Sequence, residues 1–215
     1  MNGPFELMVV VADNRQEDVV RNLLDKRRDS LKIRPASYEV LRPGTDGTVR
    51  KTAHKFLKQH RHPECHALVM LDCVFDDDKY YPPQALREEI RLNLMKDGWT
   101  GENCEVIAID PEIEMWVWIT NSPQIETALG VKWDEIYSIA RNQQPSLWPE
   151  GQLKPTKPKE LLELIQHRKR IPRSTGLVVK LLDPAQPRTR LGLDKCSDPA
   201  FKLLLETLRR WFGTA

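Results

Sequence analysis

The first half of the chain alternates short apolar runs with amphipathic segments. Nearly continuous apolar runs occupy residues 6–12, 66–71 and 104–109, as in strands that are buried on both faces, and residues 31–41 are predicted as a further strand. Between these runs, apolar residues recur at the three- and four-residue spacing of a helix. Strands that alternate with helices pair in parallel through crossover connections. The pattern therefore predicts an α/β fold with a mostly parallel sheet flanked by helices.

After residue 110 the spacing of apolar residues is helical. Short helices are predicted over residues 116–119, 123–129 and 133–139. Longer helices are predicted to begin at Pro158 and Pro199, since proline suits the first turn of a helix. The last helix carries one apolar stripe, made of Phe201, Leu204, Leu205, Leu208, Trp211 and Phe212. A stripe of this width needs a core to cover it, so we expect a helical C-terminal third that belongs to the main fold.

The predicted organisation has three parts. Residues 1–144 form the α/β domain, and residues 145–157 form a Pro-rich loop. Residues 158–215 form a helical extension packed on the same core.

Composition and charge are those of a globular protein. Charged residues make up 30% of the chain and hydrophobic residues 40%, which argues against a disordered or collagenous chain. No apolar run approaches the ~18 residues of a membrane span, and the start lacks the features of a secretory signal. We therefore expect a cytoplasmic protein with no membrane partner. The four cysteines lie far apart, which favours reduced thiols over a disulfide framework.

The net charge of +2 is unevenly divided along the chain. Residues 151–215 hold 14 Lys and Arg against 6 Asp and Glu, a net charge of +8, which leaves −6 for residues 1–150. Such a division suits an anionic partner that binds the basic half.

Acidic residues follow the predicted buried strands. Those after the first strand are Asp13, Glu17 and Asp18, those after residues 66–71 are Asp72 and Asp76 to Asp78, and those after residues 104–109 are Glu112 and Glu114. The carboxyl ends of parallel strands meet at one edge of a sheet. Crowded carboxylates repel one another unless a cation or a proton offsets the repulsion, and such oxygen ligands suit Mg²⁺ or Mn²⁺. One interpretation is a divalent-metal site for phosphate or phosphodiester chemistry; the alternative is a set of solvated loop residues.

Basic residues cluster near the end of the helix that begins at Pro158. The cluster comprises His167, Arg168, Lys169, Arg170 and Arg173. These side chains can contact a phosphate backbone, or they can form a solvated helix end, where cations favour the helix dipole.

A second crowded group contains potential zinc ligands. His60, His62, Cys65 and His66 lie within seven residues, but their spacing matches no common zinc finger or ribbon. No zinc is therefore expected. The sequence also lacks a phosphate-cradling Gly-rich loop and a Ser-His-Asp order, which disfavours P-loop hydrolysis and acyl transfer.

Four short motifs follow one another in the second half of the chain. They are Ile113-Glu114-Met115-Trp116, Ile125-Glu126-Thr127-Ala128-Leu129-Gly130, Lys157-Pro158-Lys159-Glu160-Leu161-Leu162 and Ser197-Asp198-Pro199-Ala200-Phe201. In this order they resemble a family of small prokaryotic Toprim-like proteins, which carry a Glu-Ala-Trp-like motif, an Asn-Pro-Lys-like helix start and a C-terminal Pro-x-Phe helix. Toprim domains are the metal-binding cores of topoisomerases, primases and the overcoming-lysogenisation-defect nucleases, and small relatives often occur in anti-phage defence loci. The resemblance covers most of the chain and implies a Toprim-like fold, with other proteins of a defence system as partners.

The resemblance also implies a set of site residues. Asp72 and Glu114 match ligand positions for Mg²⁺ or Mn²⁺, and Asp76 would complete the ligand set as a substitute. Glu17 or Asp13 would then act as the general base.

The chain departs from the family's pattern at two positions. Ala12 stands where the family has the metal-binding or acid/base Glu at the end of the first strand. Val74 stands where the family has the second Asp after the third strand. Asp13 or Glu17 can replace the first lost carboxylate, and Asp76 the second, only if the loops shift.

Two hypotheses follow from these residues. The first is a degenerate Toprim-like subunit that serves assembly or nucleic-acid binding in an anti-phage defence system, with Arg168, Lys169, Arg170 and Arg173 as the nucleic-acid contacts. The second is a divalent-metal nuclease or phosphotransfer enzyme. The missing carboxylates favour the first hypothesis, and the remaining acidic loops support the second. A soluble α/β protein that binds a small phosphorylated ligand is a third alternative, which no motif favours specifically.

Overall fold

The computed structural model describes residues 5–119, 121–171, 176–186 and 188–214. The chain forms two compact units. The first comprises Met1–Asp110 and Pro199–Ala215, and the second comprises Pro111–Asp198. In the described part of the chain, no helix is both long enough and apolar enough to cross a membrane.

The first unit is built on a four-stranded, all-parallel sheet. Its strands are β1 (Leu7–Val10), β2 (Tyr38–Leu41), β3 (His66–Asp72) and β6 (Cys104–Ile109), in the order β2-β1-β3-β6. A short antiparallel hairpin of β4 (Val74–Phe75) and β5 (Lys79–Tyr80) follows β3. The prediction of an α/β fold with a mostly parallel sheet flanked by helices is confirmed.

Helices flank this sheet. They are α1 (Asn14–Arg21), a π-helical turn (Asn22–Lys26), α2 (Arg28–Leu31), α3 (Asp46–Lys58), α4 (Pro83–Lys96) and the C-terminal α9 (Pro199–Phe212). Alternate strand residues face α3 and α4 because successive side chains of a strand point to opposite faces. This face of the core includes Met8, Val10, Ala67, Val69, Val106, Val49, Ala53, Leu57, Leu86, Ile90 and Leu94.

The C-terminal helix α9 belongs to the core of the first unit. Leu204 is fully buried, and Phe201 and Leu208 are almost fully buried. Near the end of the helix, the ring of Trp211 stacks on that of His66, with 4.6 Å between the ring centroids. The apolar stripe predicted for this helix is therefore covered by the sheet unit.

Strand β2 is shorter than the predicted strand over residues 31–41. Residues Arg28–Leu31 are helical, and Lys32 ends that helix in the left-handed region, with φ of 57°. Pro35 then has no backbone N–H to donate to a neighbouring strand, and pairing begins only at Tyr38.

The second unit is helical over its described residues. Its elements are a 3₁₀ helix (Ile113–Val117), α5 (Pro123–Leu129), α6 (Trp133–Arg141), α7 (Pro158–Arg168), α8 (Leu177–Leu182) and a short 3₁₀ turn (Leu193–Lys195). Its core holds Trp118, Trp133 and Trp148, which are almost fully buried. Trp148 meets Trp118 and Trp133 edge to face, with ring centroids 5.8 and 6.1 Å apart.

The division into units differs from the predicted organisation. The first boundary falls after Asp110 rather than at residue 144, and α9 joins the sheet unit. The physical reason is contact: α9 packs on β6, whereas α7 and α8 both pack on the 3₁₀ helix at Ile113–Val117. The prediction grouped α7, α8 and α9 because they follow one another in the sequence. Their apolar faces, however, pack on different elements of the fold.

Candidate functional site

The candidate site lies at the carboxyl ends of β1 and β3 in the first unit. Strand β2 lies on one side of β1, and β3 lies on the other side. The direction in which successive strands are added to the sheet therefore reverses between β1 and β3. In open parallel sheets, ligands bind beside this kind of reversal. Asp13 and Gln16 follow β1, Asp46 follows β2, and Asp72 ends β3.

A buried glutamine joins these groups. Gln16 is fully buried. Its Oε1 accepts a hydrogen bond from the backbone N–H of Ala12 at 2.9 Å. Its Nε2 donates to Asp72 Oδ1 at 3.2 Å and to Asp46 Oδ1 at 3.4 Å. A single amide therefore links two carboxylates and the end of β1.

The first turn of α1 fixes the position of Gln16. Asp13 is the N-cap residue, and its Oδ1 accepts a hydrogen bond from the backbone N–H of Gln16 at 2.9 Å. Aspartate favours this position because it satisfies an otherwise unpaired N–H at the helix start. Asp13, predicted as a general base, thus has a structural role here as the cap of α1.

Asp46 was not identified as a site residue from the sequence. It opens α3, which Thr45 caps by accepting from the N–H of Thr48 at 3.3 Å. Asp46 Oδ1 also accepts from the N–H of Asp72 at 2.8 Å. Burial raises the pKa of Asp46 above its usual value, although these hydrogen bonds act in the opposite direction. The signal in the sequence was its place in the loop after β2, at the same edge of the sheet as Asp72.

Asp76 lies against the first turn of α3. It begins a run of three aspartates with positive φ (52°, 61° and 64° for Asp76, Asp77 and Asp78) between β4 and β5. A Cβ atom on Gly47 would lie only 2.5 Å from Asp76 Oδ1. The absence of a side chain at Gly47 therefore allows Asp76 to approach the helix turn that carries Asp46.

Glu17, also predicted as a general base, forms ion pairs. Its carboxylate lies 2.8 Å from Arg21 and 2.9 Å from Arg42. Both arginines are partly exposed, so these pairs contribute little to stability.

Glu114 belongs to the second unit, whereas Asp72 and Asp76 belong to the first. Glu114 is buried in the 3₁₀ helix, with 4% of its surface exposed. Its neighbour Glu112 accepts a hydrogen bond from the backbone N–H of Lys159 at 2.8 Å. Burial, together with the charge of Glu114, raises the pKa of Glu112 to about 7. Among the described residues, no group of three or more His, Cys, Asp or Glu side chains is placed to hold a metal ion; Asp72, Asp76 and Glu114 as joint ligands stay a prediction.

The predicted basic cluster lies at the end of α7. Lys169 forms an ion pair with Glu135 at 2.7 Å. Arg168 and Arg170 are exposed, and neither forms an ion pair with a described carboxylate. Arg173 lies outside the described residues. The two exposed guanidinium groups are therefore available to an anionic partner.

The motifs in the second half of the chain contact one another. Trp116 Nε1 donates to Asp198 Oδ1 at 3.1 Å, and Lys154 Nζ lies 3.0 Å from Asp198 Oδ2. Trp118 Nε1 donates to the carbonyl oxygen of Pro158 at 3.2 Å. These contacts give several motif residues a structural role within the second unit.

Comparisons with known proteins add no relative. No protein-family model matches the sequence, and neither a curated protein nor a solved structure matches it.

Proposed function

We propose that this chain is a Toprim-like, nucleic-acid-binding component of a prokaryotic anti-phage defence system, and that it does not cleave nucleic acid by itself. The observation that carries the proposal is the buried amide of Gln16 between Asp46 and Asp72. The motif order supports the family, and the two exposed arginines at the end of α7, Arg168 and Arg170, support the anionic partner.

Gln16 makes a metal ion unnecessary for the stability of the carboxylate pair. Two neighbouring carboxylates repel each other unless a cation, a proton or hydrogen-bond donors offset the repulsion. Here the amide Nε2 donates to both, and the backbone N–H of Asp72 donates to Asp46 as well. The carboxylates at this edge of the sheet thus receive their hydrogen bonds from the chain itself, as expected of a site that has lost catalysis.

The basic C-terminal region of the chain is the part proposed to bind nucleic acid. Residues 151–215 carry a net charge of +8, and Arg168 and Arg170 project from the end of α7. Arginine binds phosphate through paired N–H groups and stays charged at all physiological pH values. Phosphate contacts of this kind are independent of base sequence. They weaken as the salt concentration rises, because the release of counterions on binding then contributes less free energy.

Binding is tested by a salt titration with labelled single- and double-stranded oligonucleotides. We expect log K to fall linearly with log salt. Changing both Arg168 and Arg170 to Ala should reduce the slope by about 1.4–1.8, at roughly 0.7–0.9 per lost phosphate contact. The matched control changes Lys51 and Lys55, two exposed cations on α3, to Ala. An unchanged slope in the arginine variant would exclude this cluster as the binding surface.

The loss of metal chemistry is tested with Gln16→Glu. Ligand oxygens around one Mg²⁺ lie about 3 Å apart, close to the distances of Gln16 Nε2 from Asp46 and Asp72. The variant therefore gains a third carboxylate at ligand spacing. We expect Mn²⁺ to raise the Tm of this variant and to leave that of the unmodified protein unchanged, with no cleavage by the latter.

The second candidate is a divalent-metal nuclease. The specific observation in its favour is that Asp46, Asp72 and Asp76 lie at or near one edge of the parallel sheet. Cleavage by the unmodified protein that requires Mn²⁺ and is lost in Asp72→Asn would establish this candidate and overturn the proposal. The defence role is tested separately by co-purification with the products of neighbouring genes.

A further inference from the structure

The second unit contains a cavity of about 330 Å³ between the ends of α5, α7 and α8. This volume is within the range of small-molecule sites. Leu129, Ile171 and Leu177 supply an apolar wall. Gln166, Gln186 and Thr189 supply amides and a hydroxyl. The cavity therefore suits a ligand with an apolar face and a polar edge.

Gln166 is the most informative residue of the cavity. Only 8% of its surface is exposed, and its side-chain amide has no hydrogen-bond partner among the described residues. A glutamine amide offers two donors and one acceptor group. This amide borders the cavity, so a ligand held there can form hydrogen bonds with it.

The charge around the cavity favours an anion. Among its described lining residues there is no Asp or Glu, and Lys180 supplies an ammonium group at an exposed position. Arg168 and Arg170 lie in the chain between two lining residues, Gln166 and Ile171. The basic cluster thus adjoins the cavity in sequence.

We propose that this cavity binds one nucleotide, with the base against the apolar wall, the base edge paired with Gln166, and the phosphate near Lys180. The inference rests on the proposed function that the basic cluster binds nucleic acid. Glutamine pairs its amide with the N6 and N7 positions of adenine, so adenine is the expected base. A base stacked in a duplex cannot enter such a pocket, so the nucleotide is either free or part of a single strand.

The test measures binding of AMP, UMP, adenosine and inorganic phosphate by calorimetry, and of a single-stranded adenine oligonucleotide by fluorescence anisotropy. We expect AMP to bind more tightly than UMP and at least tenfold more tightly than phosphate. Gln166→Met should weaken AMP binding at least tenfold. Lys180→Gln should weaken the binding of AMP but not that of adenosine. The matched control is Gln152→Met, which alters an exposed glutamine of the same unit and should change nothing.

Each outcome separates the inference from the proposed function. If the oligonucleotide binds with steep salt dependence and Gln166→Met leaves AMP and oligonucleotide affinity unchanged, the cavity proposal is overturned and the proposed function stands. If AMP binds through Gln166 and the oligonucleotide does not bind, the nucleotide is a free one and the nucleic-acid function is overturned. Equal affinity for AMP and inorganic phosphate would also overturn the cavity proposal.

Discussion

Two buried glutamines, one in each unit, differ in the hydrogen bonding of their side-chain amides. Gln16, in the first unit, is fully buried and makes three hydrogen bonds, to Ala12, Asp46 and Asp72. Gln166, in the second unit, is almost as buried and its amide has no partner among the described residues. A fully satisfied buried network stabilises and rigidifies a fold, whereas an amide that borders a cavity is open to a ligand. We therefore expect Gln16 to contribute to the stability of the fold, and Gln166, the proposed nucleotide contact, to contribute little.

The largest expected effect is that of Gln16→Met. Methionine keeps the length of the side chain but leaves two carboxylates and one backbone N–H without their partner. Each unsatisfied buried polar group costs about 1–3 kcal/mol, so we expect a loss of about 3–5 kcal/mol in the free energy of unfolding. Urea denaturation measures this loss. A loss below about 1 kcal/mol would show that water replaces the amide and that the network is not a source of stability.

The second effect is expected at the contact between Trp116 and Asp198. Trp116→Phe removes the indole N–H that donates to the buried Asp198 carboxylate, and it leaves a small gap. Hydrogen bonds to charged groups contribute about 1.5–3 kcal/mol, so the variant should lose about 2 kcal/mol. Trp211→Phe is the matched control. The indole N–H of Trp211 donates to the backbone carbonyl oxygen of Glu102, and its side chain is less buried, so this variant should lose less stability. Equal losses would show that burial does not set the strength of the Asp198 contact.

The sequence predicted the sheet better than the site. The apolar runs at β1, β3 and β6 specify strands by composition alone, because both faces of each strand are buried. The position of Asp72 at the carboxyl edge followed from the same pattern. The roles of Asp46 and Gln16 did not follow from this pattern, because they depend on hydrogen bonds between elements that are distant in the chain. Gln16 is neutral, so the pattern of acidic residues after the strands does not include it.

Local structure explains the remaining differences. Helix α3 begins at Asp46, since Thr45 caps it and the Gly47 position accommodates Asp76. Gln166 stands in a helix beside apolar residues, and its amide is notable only because of the cavity that it faces. No sequence pattern marks a cavity formed by three helix ends.

The third effect is a dependence of stability on pH in the second unit. Burial and the charge of Glu114 raise the pKa of Glu112 to about 7, from its usual 4.5. The folded chain then binds this proton more tightly than the unfolded chain, so the free energy of unfolding falls as pH rises between about 4.5 and 7. Partial solvent exposure limits the effect to on the order of 1–2 kcal/mol.

Glu112→Gln tests this dependence. The variant keeps an oxygen that can accept the hydrogen bond from Lys159 but has no proton to titrate. We expect it to be more stable than the unmodified protein at pH 8 and equally stable at pH 5, as measured by denaturation at both values. A variant that is less stable at pH 8 would show that the Glu112 carboxylate is favourable when ionised, contrary to the raised pKa.

The smallest expected effect is that of Gln166→Met, the same substitution as at Gln16. Among the described residues the amide of Gln166 has no partner to lose, and methionine buries a less polar side chain in its place. We therefore expect the free energy of unfolding to stay within about 0.5 kcal/mol of the original value or to rise. Urea denaturation in the absence of nucleotide measures this, with the exposed Gln152→Met as control. A loss similar to that of Gln16→Met would mean that Gln166 is held by partners within the protein, and the contrast between the two glutamines would then disappear. A small effect on stability together with a large loss of AMP affinity would instead establish that Gln166 serves ligand binding rather than the stability of the fold.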